Sequence, residues 1–200
     1  MKQYLRYLFI ANIILFIILL SFTIHIFNKG FYSQKFEENG AYDTFGKDRT
    51  DKINSEVFGY FLLKNDLETN FFNSREKDHL KDVKSLFITG YILFFISFFT
   101  LVIFLYFDKQ NMFKLLLVSG IAGLLIIFII TFLSFMDFNF LFTLFHKVFF
   151  KDGTWIFDSG ITQVYTYDLF YDVFFRILIT SVVLFIALII MFFIKNRLKY

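Results

Sequence analysis

The sequence predicts an all-α membrane protein with four transmembrane helices and two extracytoplasmic loops that contain amphipathic or interfacial helices. Three observations predict it. Apolar residues make up 58% of the chain, and the mean hydropathy is +0.64, more than a soluble core requires. They gather into four blocks, each near the roughly 20 residues a helix needs to cross hydrocarbon at about 1.5 Å rise per residue. Within those blocks the only Asp, Glu, Lys or Arg is Arg6, at the edge of the first. In lipid each such segment must satisfy its own backbone polar groups, so each is expected to be helical.

The spans read as Tyr4–Phe27, Leu86–Phe107, Leu115–Met136 and Ile177–Ile194. Residues 1–200 are expected to form a single integral membrane domain, with outer loops over about 28–85 and 137–176. The first block follows Lys2 and Arg6 as a signal peptide would. It is longer than an h-region, however, and Ile24-His25-Ile26-Phe27 lacks a small-residue cleavage site, so it is expected to stay as a membrane helix.

Loop one begins with Asn28–Thr50, where Gly30, Gly40 and Gly46 stand among polar residues and read as irregular structure. Asp51–Leu67 then spaces Ile53, Val57, Tyr60, Phe61 and Lys64 by threes and fours, as in an amphipathic helix lying on a membrane surface. Asn73 with Glu76 three residues later forms a capping-box pattern that opens a third helix. On that helix His79 shares a face with Glu76 and Val83, just ahead of the second span, so it is expected near headgroup level.

Loop two starts at Asp137-Phe138-Asn139 and places Phe142, Phe145, His146, Phe149 and Phe150 on one helical stripe. Lys151-Asp152-Gly153-Thr154 reads as a turn. Trp155, the one tryptophan, and Asp158 follow, and Tyr171–Phe175 leads into the last span. An indole ring is comfortable at a membrane interface.

Charge orients these elements. The amino end (Lys2, Arg6), the turn 108–114 (Lys109, Lys114) and the tail (Lys195, Arg197, Lys199) hold seven basic residues against one acid, Asp108. Loop one holds ten basic and eleven acidic residues, and loop two through Phe175 holds two and five. The positive-inside rule therefore puts both termini in the cytoplasm and both loops outside. The net charge of +3 reflects this anchoring, so nucleic acid is not an expected partner.

With no cysteine, thiol nucleophiles and Cys-based metal sites are excluded. There is no Gly-x-Ser-x-Gly elbow and no phosphate-cradling glycine loop. Chemistry here would rest on imidazole, whose unperturbed pKa of roughly 6.5 suits proton transfer. Of the three histidines, His25 at the end of the first span reads as a packing residue. His79 and His146 are expected at one depth, with Glu76, Asp78 and Asp158 within reach as orienting carboxylates. No His-x-x-x-His spacing supports a metal, and no cofactor is expected. The residues alone leave open an acid–base enzyme, or a non-catalytic protein whose aromatic loops bind lipid or a protein partner. Transport is disfavoured because no span carries an ionisable residue in its apolar core.

Two segments carry a resemblance. Arg75-Glu76-Lys77-Asp78-His79-Leu80-Lys81-Asp82-Val83 resembles an E-x-x-H-L-x-D-V motif, and Phe145-His146-Lys147-Val148-Phe149-Phe150 with Trp155-Ile156-Phe157-Asp158 resembles F-H-x-x-F-F…W. Both occur in the bacterial four-helix membrane family that includes the lipoprotein intramolecular transacylase. The resemblance implies a bacterial cell-membrane acyltransferase that moves the sn-2 acyl chain of a lipoprotein's diacylglyceryl-cysteine to its α-amino group, giving the lyso form. It implies His79 and His146 as catalytic residues, with Glu76, Asp78, Trp155 and Asp158 supporting them or positioning substrate. A diacylglyceryl-modified lipoprotein would be the substrate and membrane lipid the surroundings. Two positions depart from the family pattern: Tyr171–Phe175 replaces a Pro-Glu-x-Phe-Phe lead-in, and an Asp expected near Thr162 is missing.

Overall fold

The computed structural model describes residues 3–107, 111–151 and 153–197. Lys2, Asp108, Lys109, Asp152 and Lys199, which enter the charge count or the turn above, lie outside the described residues. The chain forms α1 (Gln3–Ile26), α2 (Lys29–Glu38), α3 (Ala41–Phe45), α4 (Lys47–Phe61), α5 (Ser74–Phe107), α6 (Met112–Phe149), α7 (Gly160–Val164) and α8 (Tyr167–Arg197). No strand occurs among the described residues. Helices α1, α5, α6 and α8 are long and apolar enough to cross a membrane. The chain divides into two compact units. The first is Met1–His25, Gly90–Asp137 and Phe175–Tyr200; the second is Ile26–Thr89 and Phe138–Phe174.

The first unit is a bundle of the four apolar helices. Phe16 of α1 stacks on Phe94 of α5 at 5.3 Å, and the Asn12 amide donates to the Ser97 carbonyl at 3.1 Å. Ser21, Ser119 and Ser181 return their hydroxyls to carbonyls four residues earlier, so buried serines add no unsatisfied donor. Between α6 and α8, Gly120 leaves room for close approach: a Cβ there would lie 2.7 Å from Ile189 Cγ1 and 2.9 Å from the Phe185 carbonyl. Membrane helices without a hydrophobic drive toward each other depend on such small residues. Gly120→Leu is therefore expected to destabilise the bundle by about 1–3 kcal/mol. Gly90→Leu, which meets nothing within 4 Å, should leave it unchanged. Unfolding in detergent, followed for both variants, checks this.

The second unit departs from the sequence reading in three places. Residues 28–50 are helical where irregular structure is expected. Asn28 caps α2 by accepting from the Phe31 N–H at 3.1 Å. Gly40 and Gly46, at φ 71° and 82°, are the breaks that end one short helix and start the next. Helix α4 is not a free amphipathic helix on a membrane surface. Its apolar face is occupied, with Ile53, Val57 and Phe61 packed on Phe72, Leu80 and Ile161, and Phe58 on Phe36, Val164 and Leu169. Finally, α8 starts ten residues before the expected span. The Thr166 hydroxyl caps it by accepting from Leu169 N at 3.3 Å and from the Asn39 amide at 2.6 Å. Lys35 of α2 pairs with Asp172 on that extension.

Candidate active site

The Asn73–Glu76 pattern folds as the sequence predicts. Asn73 Oδ1 accepts from Glu76 N at 3.0 Å, and Glu76 Oε2 accepts from Asn73 N at 2.8 Å. This reciprocal cap fixes the first turn of α5, with a carboxylate at the positive end of the helix dipole. The second Glu76 oxygen reaches much further along the chain. Oε1 accepts from Ser159 Oγ at 2.6 Å and from Ile161 N at 2.8 Å. At 1% exposure, Glu76 is a buried carboxylate satisfied by backbone and hydroxyl donors. It thereby ties loop two to the start of α5.

One residue earlier, Arg75 makes a second tie. Its guanidinium donates to the Gly153 carbonyl and lies over the Phe157 ring at 5.8 Å. Residues 153–161 are thus a strap held at both ends by neighbouring side chains on α5. At the start of the strap Thr154 N is bonded to the Lys151 carbonyl at 3.2 Å, and Gly153 has φ 78°.

One helical turn beyond Glu76 stands His79, 8% exposed. His146 is supplied by the part of α6 that follows Asp137, whose extended φ of −160° and ψ of 93° interrupts the helix. His146 is 9% exposed. The two imidazoles lie 6.3 Å apart, centroid to centroid, with planes 23° from parallel. No hydrogen bond joins them among the described residues.

Aromatic side chains wall the pair. Phe150 touches both, at 4.9 Å from His79 and 5.4 Å from His146. Phe157 from the strap lies 5.4 Å from His79, and Trp155 lies 4.8 Å from His146. Phe142 packs on His146 at 4.2 Å. Sequence reasoning missed Phe150 and Phe157 as site walls. The helical spacing of Phe150 from His146 was the available signal for one; for Phe157 there was none, because only the strap brings it there.

The hydrogen bonding sorts the ring nitrogens. His146 Nδ1 lies 2.7 Å from the Phe142 carbonyl, which can only accept, so Nδ1 carries the proton and Nε2 keeps the lone pair. His79 Nδ1 and Trp155 Nε1 are buried with no hydrogen-bond partner among the described residues. An unpaired buried donor or acceptor costs about 1–3 kcal/mol, and such exceptions concentrate at functional sites.

His79 lies before the apolar run 86–107 and His146 after the run 115–136, and each run alone is long enough to cross hydrocarbon. Burial, reinforced by the nearby His146, pushes the His79 imidazolium down to about 4, against a smaller upward pull from Asp82. Burial also lowers His146, opposed by its bond to the Phe142 carbonyl. Both rings are therefore neutral bases near pH 7.

The remaining expected residues separate from this group. Asp78 and Asp158 are exposed, with no hydrogen bond or ion pair among the described residues. Adjacent helical positions point apart, so Asp78 leaves the face of His79. His25 belongs to the first unit, where Nε2 lies 2.6 Å from Thr180 Oγ1.

Residues 7–170 match the family described as lipoprotein intramolecular transacylase. Among solved structures, the fold is similar to the membrane-integral lipoprotein intramolecular transacylase from Bacillus cereus. The TM-score is 0.83 and the identity 19%, over 98% of this chain and all of that one. A form of that protein with a histidine-to-alanine mutation is similar at TM-score 0.82 and 18% identity, over 99% and 96% of the two chains. A form with a histidine-to-arginine mutation matches at 0.78 and 20%, over 98% and 94%. No curated protein matches the sequence.

Proposed function

The chain belongs to the lipoprotein intramolecular transacylase family, and we propose that His79 and His146 are the pair through which it moves an acyl chain. The observation that carries this reading is two neutral imidazoles 6.3 Å apart in an aromatic enclosure. In the proposed reaction the substrate's α-amino nitrogen attacks the carbonyl carbon of its own sn-2 ester. The C–N bond forms and the carbonyl pair moves onto oxygen. His146 Nε2 takes a proton from the attacking nitrogen. Collapse breaks the C–O bond, and that proton passes to the departing glycerol oxygen. The products are an N-acyl amide and a free sn-2 hydroxyl.

No enzyme nucleophile is needed, because ester and amine belong to one molecule. Holding them in a near-attack geometry supplies an effective concentration on the order of 10⁵ M or more. The substrate is a diacylglyceryl-modified lipoprotein, and the membrane is that of a bacterial cell with both termini cytoplasmic. The basic residues at the ends of the spans support that orientation, and the short interval of six residues between His79 and Leu86 supports a site near headgroup level.

A pH profile follows from the lowered imidazoles. The substrate amine, with an ordinary pKa of roughly 7.7–8.0, must be neutral to attack. As pH falls it protonates well before His79 does, at about 4. The acid limb of kcat/KM should therefore follow the amine and fall about tenfold per pH unit below it. A limb centred near 6.5 would instead place the controlling proton on an unperturbed histidine.

Mass spectrometry of a lipoprotein's N-terminal peptide tests the activity in cells. A host expressing this chain should show the acyl chain on the amine, and the same host with His79→Ala should not. An unchanged lipopeptide despite confirmed membrane insertion would remove the acyl-transfer reading.

A further inference from the structure

We propose that the indole N–H of Trp155 is the donor that holds the carbonyl oxygen of the reacting ester as it becomes an oxyanion. This rests on the O-to-N transfer reading and assigns a group that reading leaves without an owner. Attack by the amine puts negative charge on the former carbonyl oxygen, and a donor must meet it there. His146 does not serve as that donor. His146 Nδ1 is committed to the Phe142 carbonyl, and its Nε2 holds the lone pair that receives the amine proton.

The indole meets the requirement on four counts. Its Nε1 is buried and has no hydrogen-bond partner among the described residues. Its ring lies 4.8 Å from the His146 ring, centroid to centroid, at a 35° tilt. An indole N–H donates only and never accepts, so it stays a donor through both attack and collapse.

Its placement is also fixed before substrate arrives. The strap that carries it is tied to α5 by Arg75 at Gly153 and by Glu76 at Ser159 and Ile161. A donor held in place in advance needs no rearrangement when charge develops. The unsatisfied N–H of the free protein is then the open half of a hydrogen bond that the substrate completes.

Two measurements test this. In the first, Trp155 is replaced in the full-length protein by 3-benzothienylalanine, which keeps the bicyclic ring and puts sulfur where the N–H stood. Conversion of a diacylglyceryl lipopeptide is expected to lose roughly 10²–10³-fold in kcat. KM should change by less than about twofold, since the bond strengthens only with the charge. Retention of kcat by this isostere, with loss in Trp155→Ala, would overturn the proposal and leave the ring a packing element. Absence of conversion by the unaltered chain would overturn the transfer reading itself, and this inference with it.

The second measurement needs no variant. The chain has one tryptophan, so nitrogen-15 indole labelling gives one signal. A phosphonate analogue of the sn-2 ester is expected to move that signal downfield. An unmoved signal at saturation would overturn the proposal.

Discussion

Replacing His146 with alanine is expected to lower formation of lyso-form lipoprotein by roughly 10²–10⁴-fold, the usual contribution of a positioned acid–base group. The expectation comes from one atom. The Phe142 carbonyl holds the proton on Nδ1, which leaves Nε2 as a lone pair inside an aromatic enclosure. With that ring gone, the amine proton has no described acceptor in the enclosure beyond His79. His79→Ala should lose activity on a similar scale, and the double variant little more, because residues acting as a unit are not additive. Both alanine variants should remain inserted and folded, since neither ring makes a side-chain bond to another element. Full activity in both would contradict a histidine-based reaction.

Glu76→Ala is expected to damage stability and activity together. Its carboxylate, 1% exposed, accepts from Asn73 N, Ser159 Oγ and Ile161 N. Hydrogen bonds to a charged acceptor are worth about 1.5–3 kcal/mol each, and orphaning the Ile161 N–H adds a desolvation cost. Relaxation and water entry recover part of this, so the net loss should be about 3 kcal/mol. Glu76→Gln should lose less: its carbonyl oxygen can keep Ile161 and Ser159, while its NH₂ faces the Asn73 N–H as donor against donor. The strap would loosen in both, taking Trp155 and Phe157 from the histidines, so kcat should fall in the same order. Denaturation in detergent and the lipopeptide assay read the two effects. A Glu76→Ala protein as stable as the parent would remove the strap's anchoring role.

The membrane helices were legible because hydrocarbon imposes one solution on a long uncharged segment, and Asp137 was legible as the residue that ends the third. The cap at Asn73–Glu76 and the helical stripe bearing His146 were legible because each is local, set by spacings of three and four. What stayed hidden depends on partners distant in sequence. Gly40 and Gly46 read as signs of coil because a glycine that joins two short helices looks the same as one within a loop. The face of α4 read as membrane-seeking because its apolar spacing does not say whether lipid or Phe72, Leu80 and Ile161 will cover it. Asp78 and Asp158 were chosen for closeness along the chain, but side-chain direction, not sequence distance, decides contact, and both point to solvent. The ties from Arg75 to Gly153 and from Glu76 to Ser159 span 78 and 83 residues. No local pattern announces them, yet they set the strap against the site.

The central claim, that acyl transfer occurs within one substrate molecule at a histidine pair with no acyl-enzyme, is tested most directly by isotope crossover. A lipopeptide labelled in both its sn-2 acyl chain and its peptide would be mixed with an unlabelled one and given to the purified protein in lipid. Mass spectrometry should find product carrying both labels or neither. Product with one label alone would show acyl chains passing between molecules or through the enzyme, and would contradict the account.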